Sequence, residues 1–544
     1  MMKTKFLFAS LLIAGTAIAA QAQGQGYKDG IEYYKVDQLD NAKELLERNL
    51  NAASTDKAEA FYYLGQIALH QGDVATAQSY FEKGVAANAS NPYNFVGQAA
   101  IALKKGMNAK SQLDAARKLS KKDCKLEMEI ARAYYDANPT TYAKDIEKCI
   151  KNARKWNATD PDSYIFEADT YADKKDWGAA AGNYELAFTN DPNNVEAYVK
   201  YANTYFNVNP EMAIARLEEL NANKPGIALV QRQLAEKYYS DNQGAKAAEK
   251  YGEYINNPNH FAQDEVRYVQ LLFFGEKYQQ SYDLATSLIG KLAATDSKVF
   301  YMRRMQLYNL DQLEQWEKAV QAGEAFFGMA KPADATYEVR DYTDYAKALQ
   351  NAGMPEEAIV QYDKAIELNP NNTDLIRNLG DSYADAGDYL KAAGYYQKLV
   401  DNKNNTSQDL FTLSNYYYGV AAADGADAAT VSKYLGLSKQ YANEVNELVP
   451  NNVQIVNQLA KLAKFEEGDT NKGAALGAYK QLLSILDAKD DKSGYDRYYK
   501  YAYNYLATYY FTKGDKEEAK EYYEKWLEHD PDNEPLRQYV ESLK

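Results

Sequence analysis

Residues 341–372 carry Tyr342, Tyr345, Ala346 and Leu349 at i, i+3, i+4 and i+7, which is one apolar stripe on a helix. The turn AGMPEE follows, with glycine where a helix ends and proline where the next begins. A second helical stretch then runs to ELNPNN, a proline-containing turn. Residues 375–405 repeat this pattern, so that Gly353 matches Gly387, Ala358 matches Ala392 and Tyr362 matches Tyr396, each 34 residues apart. No region shows the alternation of a strand, and the pattern predicts an all-α chain of stacked antiparallel helix hairpins, an α-solenoid. About 14 such units run from Gly24 to Asn533, and EPLRQYVESLK closes the chain as a polar capping helix.

The period and its fixed positions resemble the tetratricopeptide repeat. Leu379-Gly380, Tyr383, Ala392 and Tyr396 match its slots, with Ile376 where that family has tryptophan. Leu64-Gly65, Ala77 and Phe81 are similar, as are Tyr164, Tyr171, Ala180, Tyr184 and Pro192. Near the end Tyr503, Leu506-Ala507, Tyr510, Ala519, Tyr523 and Pro531 repeat the set. Small residues such as Gly380 let helices approach, and large ones such as Tyr383 fill the space beside them. The resemblance implies a right-handed superhelix whose concave face, lined by first helices, binds peptides or other proteins.

The organisation expected is a leader at 1–22, an N-terminal array at 23–335, a C-terminal array at 336–533 and the cap at 534–544. The pattern is irregular near 92–160 and 262–335, and GVAAADGADAATVSKYLG inserts near 419–437. MMKTK, the apolar run FLFASLLIAGTAIAA and the box Ala20-Gln21-Ala22 read as a secretory signal peptide cut before Gln23. No later segment is apolar enough to span a membrane. No cysteine stands directly after the apolar run to carry a lipid, and no added surface or secretion module is visible after the repeats. The expected location is therefore the periplasm rather than full secretion.

Composition removes other classes. With 77 acidic against 62 basic residues, the chain would repel a nucleic acid rather than release its counterions. The densest basic run, at 104–122, has helical spacing and reads as a solvated face. His70, His260 and His529 lie far apart, in a fold that joins only neighbouring units. No metal-ligand spacing, phosphate loop or nucleophile–base pair occurs, so no enzyme, metal or cofactor is expected. DAKDDKSGYDRY lacks the ligands of a calcium loop, and GQGYKDG lacks both the spacing and the strand of a dinucleotide fingerprint. Cys124 and Cys149 are either two thiols or one disulfide across a helical hairpin.

If the resemblance holds, groove-facing positions include Tyr62, Gln66, Asn203, Phe206, Arg232, Tyr239, Thr343, Lys347, Arg377 and Asp381, with Tyr501, Asn504, Thr508 and Phe511 in the last unit. This surface is polar, amide-rich and aromatic. Asp374 and Asp381 flank Arg377 where a clamp for a C-terminal carboxylate would need cations. The function expected is a periplasmic protein-interaction scaffold that binds a peptide or envelope protein along the concave face. The alternative is a glycan-binding protein using exposed tyrosines, given 50 Tyr in the chain. Contiguous exposure of Tyr62, Tyr239 and Tyr501 would favour the second reading. In YYKYAYNYLATYYF, Tyr503 and Tyr510 are expected in the core, and Tyr501 and Phe511 in the groove.

Overall fold

The computed structural model describes residues 26–468 and 471–542, so the leader lies outside the described residues. Within them are twenty-nine α-helices and one short 3₁₀ turn, with no strand. The chain divides into two compact units, one ending at Met305 and the other starting at Gln306. The first holds eight helix hairpins at 26–49, 57–87, 93–119, 124–156, 161–190, 195–223, 228–255 and 265–291. The second holds five, at 339–368, 373–401, 407–448, 453–487 and 496–528, followed by the helix Glu534–Ser542. Ser297–Gln312 and Trp316–Phe327 are the helices around the division. The fold is an α-solenoid in which the two helices of each hairpin pack on one another.

Many hairpins start with a side-chain cap. Asp56 accepts from the backbone of Ala58 and Glu59, and Asp160, Asn194, Asn372 and Asn452 do the same for later first helices. In many hairpins the chain turns between the two helices through one left-handed residue. Gly72, Gly353, Gly387 and Gly514 hold it at φ 79–83°, whereas Lys175, Asn242 and Glu276 adopt φ 59–62° at the same place. Near the start of the second helix a small residue disappears completely into the core. Ala42, Ala77, Ala180, Ala213, Ala247, Ser281, Ala358 and Ala392 are each 0% exposed. That series is the 34-residue period made physical: only a small side chain lets the two helices touch there.

Gly65 shows how close the approach is, because a Cβ on it would lie 2.4 Å from the Phe81 ring, and one on Gly97 would lie 2.2 Å from the same ring. In the stripe at 342–349, Tyr345, Ala346 and Leu349 are buried and Tyr342 is half-buried. The insertion near 419–437 makes no extra loop of its own length. It lengthens the second helix of its hairpin, Ala428–Leu448, to 21 residues.

The open concave face expected from the repeats is not what the first unit presents. Its first hairpin packs against the sixth and seventh. Tyr33 meets Phe261 edge to face at 5.4 Å, and Asn259 donates to Asp29 Oδ2 at 2.6 Å. Arg232 donates to Gln38 Oε1 at 2.9 Å and pairs with Asp264 at 2.8 Å. The unit thus closes on itself, because the aromatic and amide groups of 256–264 give hairpin 26–49 a buried surface to sit on. The first helices of the intervening hairpins then line a central cavity of about 360 Å³.

Candidate functional site

The central cavity of the first unit is densely charged. Asp169 takes Arg132 at 2.8 Å and Lys200 at 2.9 Å, while Glu196 takes Lys200 at 3.1 Å and Arg132 at 3.5 Å. Lys35 reaches Glu196 at 3.9 Å across the closure. The Tyr184 hydroxyl also donates to Asp169 at 2.7 Å, and these donors hold that carboxyl below its ordinary range against its burial. Asp37, Asp136 and Asp162 have no ion-pair partner within 4 Å among the described residues, and burial raises each of them.

Tyr62 and Gln66, expected in an open groove, are instead buried in the wall of this cavity. Tyr62 is 1% exposed and donates to Glu129 Oε2 at 2.7 Å, and Gln66 donates to the Tyr62 hydroxyl at 2.9 Å. Arg232 is spent on the closure just described. Asn203 is exposed and lines the cavity. Phe206 is half-buried beneath Lys237, 4.8 Å from its ring, and Tyr239 is half-buried beneath the Arg267 guanidinium at 4.4 Å.

In the second unit several expected groove residues are also committed elsewhere. Lys347 pairs with Asp311 at 3.0 Å. Arg377 forks onto Asp409 at 2.8 and 3.0 Å and also reaches Asp374, and Asp381 accepts the hydroxyls of Tyr396 and Tyr416. Thr343 bonds back to the Val339 carbonyl. Asn504 and Thr508 bond each other at 3.3 Å, and Phe511 is exposed with its ring 6.2 Å from Tyr539 of the terminal helix.

Tyr501 does stand free, at 48% exposure, and it borders a groove on the first helices Ser407–Ala421, Val453–Glu467 and Asp496–Thr512. Phe411, Asn415, Gln454, Asn457, Gln458, Lys461, Arg497 and Tyr498 line the rest. Asn457 and Gln458 were not expected from the sequence. They are 6% and 5% exposed, yet Asn457 Oδ1 and Gln458 Nε2 have no hydrogen-bond partner among the described residues. Burying an unpaired amide atom costs about 1–3 kcal/mol, so a ligand that satisfied both would recover that energy. Lys461 lies 5.3 Å from the Tyr501 ring and Arg497 4.6 Å from the Tyr498 ring, and neither meets a carboxylate within 4 Å among the described residues. The signal that could have found this floor is the amide pair in VQIVNQLAK, since adjacent Asn and Gln in an otherwise apolar helix are poorly placed for packing.

Both cysteines carry free thiols. Cys124 Sγ donates to the Ala153 carbonyl at 3.4 Å, and Cys149 is buried with Sγ 3.6 Å from Arg117 Nη2. Burial pushes the Cys149 thiol up to about 12, which makes it unreactive at neutral pH. Among the described residues no cluster of three His, Cys, Asp or Glu side chains could hold a metal ion, and no helix is long and apolar enough to cross a membrane.

Three stretches match family models described as tetratricopeptide or TPR repeats: residues 27–92, 353–387 and 500–533. No match is found among curated proteins. Among solved structures, the C-terminal part of a TPR repeat-containing protein from Cytophaga hutchinsonii is 22% identical, with a TM-score of 0.40, covering 50% of this chain and 98% of its own. A thermophilic TPR protein from Thermus thermophilus is 19% identical over 38% of this chain and 98% of its own, with a TM-score of 0.26. A tetratricopeptide repeat protein from Parabacteroides merdae is 14% identical over 48% of this chain and 98% of its own, with a TM-score of 0.28.

Proposed function

We propose that this chain, a tetratricopeptide-repeat protein and so a protein-interaction scaffold, binds an extended segment of a partner protein in the groove of its second unit. The observation that carries this reading is the pair of unpaired amide atoms on the groove floor, Asn457 Oδ1 and Gln458 Nε2. One accepts and the other donates, which is what an extended peptide backbone offers in return. Tyr501 stands at the rim as the exposed aromatic that would cover the bound segment.

The leader-like first residues support an exported, periplasmic setting for this binding, and the absence of a membrane-spanning helix among the described residues is compatible with it. The glycan reading needed an exposed patch of Tyr62, Tyr239 and Tyr501, but Tyr62 is buried and Tyr239 is covered by Arg267. Nothing about the groove suits catalysis either, since it contains no carboxylate, histidine or thiol among the described residues.

The test is selection from a displayed library of random linear peptides against the full chain. Selected sequences should bind the wild-type protein and lose about tenfold in affinity to Gln458→Leu, which fills the floor without offering a donor. A library that returns no binder, or binders indifferent to Gln458→Leu and to Tyr501→Ala, would sink the reading.

A further inference from the structure

Along the first helices of the second unit, positive side chains are neutralised within the chain: Lys347 by Asp311, Arg377 by Asp409 and Lys500 by Asp530. Of the four arginines in this unit, Arg340, Arg377 and Arg537 all pair with carboxylates. Arg497 does not. Among the described residues its one hydrogen bond goes to the Tyr498 hydroxyl at 2.6 Å, and its remaining N–H groups have no partner. An unpaired lysine on a surface is ordinary, but an arginine left over in a chain with 77 acidic and 62 basic residues is not. The groove that Arg497 lines contains no carboxylate of its own.

A second free cation meets it there. Lys461, on the neighbouring first helix Val453–Glu467, has its Nζ 5.3 Å from the Tyr501 ring and no carboxylate or hydrogen-bond partner among the described residues. Arg497 precedes Tyr501 by one turn on the same face of Asp496–Thr512, and its charge acts on the Tyr501 hydroxyl. Two cations from two helices thus converge on one exposed ring. Independently of charge, the floor beneath them holds Asn457 Oδ1 and Gln458 Nε2, more than nine-tenths buried and without partners among the described residues. Asn457 Oδ1 needs an N–H, which a carboxylate does not offer, so the floor suits a peptide backbone and the cations suit a charge carried above it.

Resting on the peptide-binding reading of this groove, we propose that the bound segment is acidic: an internal aspartate or glutamate places its side-chain carboxylate between Arg497 and Lys461. The guanidinium offers that carboxylate a fork of N–H donors, and the ammonium adds a point charge from the facing helix. The segment's backbone lies on Asn457 and Gln458, and Tyr501 stands beside the ion pair. Lys461 and Arg497 are thereby the residues that select the partner, while the amide floor holds any extended chain.

The test is selection on the full chain from a library of random linear peptides displayed between fixed flanks, so that no displayed sequence ends in a free carboxylate. The binders should be enriched in aspartate or glutamate over the unselected library. A selected peptide is then synthesised with both ends blocked and titrated calorimetrically. Replacing its acidic residue by the matching amide should weaken binding to the wild-type chain at least tenfold, and should cost nothing further in Lys461→Gln with Arg497→Gln. Neither side chain is buried, so that double variant should keep its thermal transition and bind the parent peptide about tenfold more weakly. The peptide substitution needs no altered protein and decides the matter even where the double variant fails to fold. Binders that are weakened by Gln458→Leu but carry no acidic enrichment would overturn this inference and leave the peptide groove standing. A library without binders would overturn both. An amide peptide that binds the wild-type chain as well as its acidic parent, or binders found only among peptides with free C-termini, would also overturn the inference.

Discussion

The hydroxyl of Tyr62 donates to Glu129 Oε2 at 2.7 Å across 67 residues of sequence, joining two hairpins that are not neighbours in the chain. The same device recurs through the molecule. Tyr135 donates to Asp173, Tyr254 to Asp264, Tyr499 to Asp487 and Tyr505 to Glu467, each at 2.7–3.0 Å. Tyrosine fills the space between helices with its ring and carries a polar tip that a carboxylate then satisfies. The abundance of tyrosine and the excess of acid are therefore partly one property, a core built of rings with acidic partners at its edges.

Removing that tip should be costly at Tyr62, where the acceptor is held inside the cavity wall. Tyr62→Phe deletes the bond to Glu129 and leaves Gln66 Nε2 without its acceptor. The expected loss is about 1–3 kcal/mol, read as a lower urea midpoint of the first unit. An unchanged midpoint would mean that Glu129 finds another donor at no cost.

The glycines separate into those that allow contact and those that do not. Gly65→Ala would set a Cβ 2.4 Å from Phe81, a ring already pinned by Gly97 on its other side, and should destabilise by roughly 1–3 kcal/mol. Gly182, inside the helix Trp177–Asn190, has nothing within 4 Å of its would-be Cβ. Gly182→Ala should therefore stabilise by about 0.5–1 kcal/mol through the unfolded chain and helix propensity. Thermal denaturation of the two variants, side by side, should show shifts of opposite sign.

The hairpins were legible in the sequence because their cause is local: the stripe at 342–349, the turn glycines and the buried alanine series all act within one unit. The closure of the first unit was not legible, since it joins Asp29 to Asn259 over 230 residues and no periodicity records such a meeting. That closure is also why Arg232 left the expected groove, whereas Tyr62 is covered by Tyr63, Phe81 and Tyr93 and Gln66 bonds to its hydroxyl. In YYKYAYNYLATYYF the repeat pattern placed Tyr503 in the core, while Tyr498, Tyr499 and Tyr505 are buried because of neighbours the pattern does not name. Tyr510 is only half-buried, stacked on Tyr522 at 5.7 Å.

Acid should tighten the closure rather than loosen it, at least to about pH 5. Burial raises the Asp29 carboxyl to about 6, opposed in part by the Asn259 amide, and burial raises Asp160 to about 6 as well. Both folded values lie above the ordinary carboxylate value, so the folded chain binds these protons more tightly than the unfolded one. Stability therefore rises as pH falls through about 6 and gains nothing more below the unfolded value near 4. Hydrogen exchange, corrected for its intrinsic pH dependence, should show residues 256–264 better protected at pH 5 than at pH 7. Asp29→Asn should abolish the difference if Asp29 governs it.

Tyr501 gives the most direct separation of binding from folding. Its ring is 48% exposed and its nearest cation, Lys461, approaches it from the groove side at 5.3 Å, so the core loses nothing when it is removed. Tyr501→Ala should change stability by no more than about 0.5 kcal/mol. Tyr505→Phe, four residues on, should do the reverse. It strips a donor from Glu467, which is 8% exposed, and should lower stability by about 1 kcal/mol or more while leaving the groove lining intact. Peptides selected on the wild-type chain should therefore bind Tyr505→Phe normally and Tyr501→Ala about tenfold more weakly. If the losses fall the other way round, the exposed ring is incidental and the partner is held elsewhere on the chain.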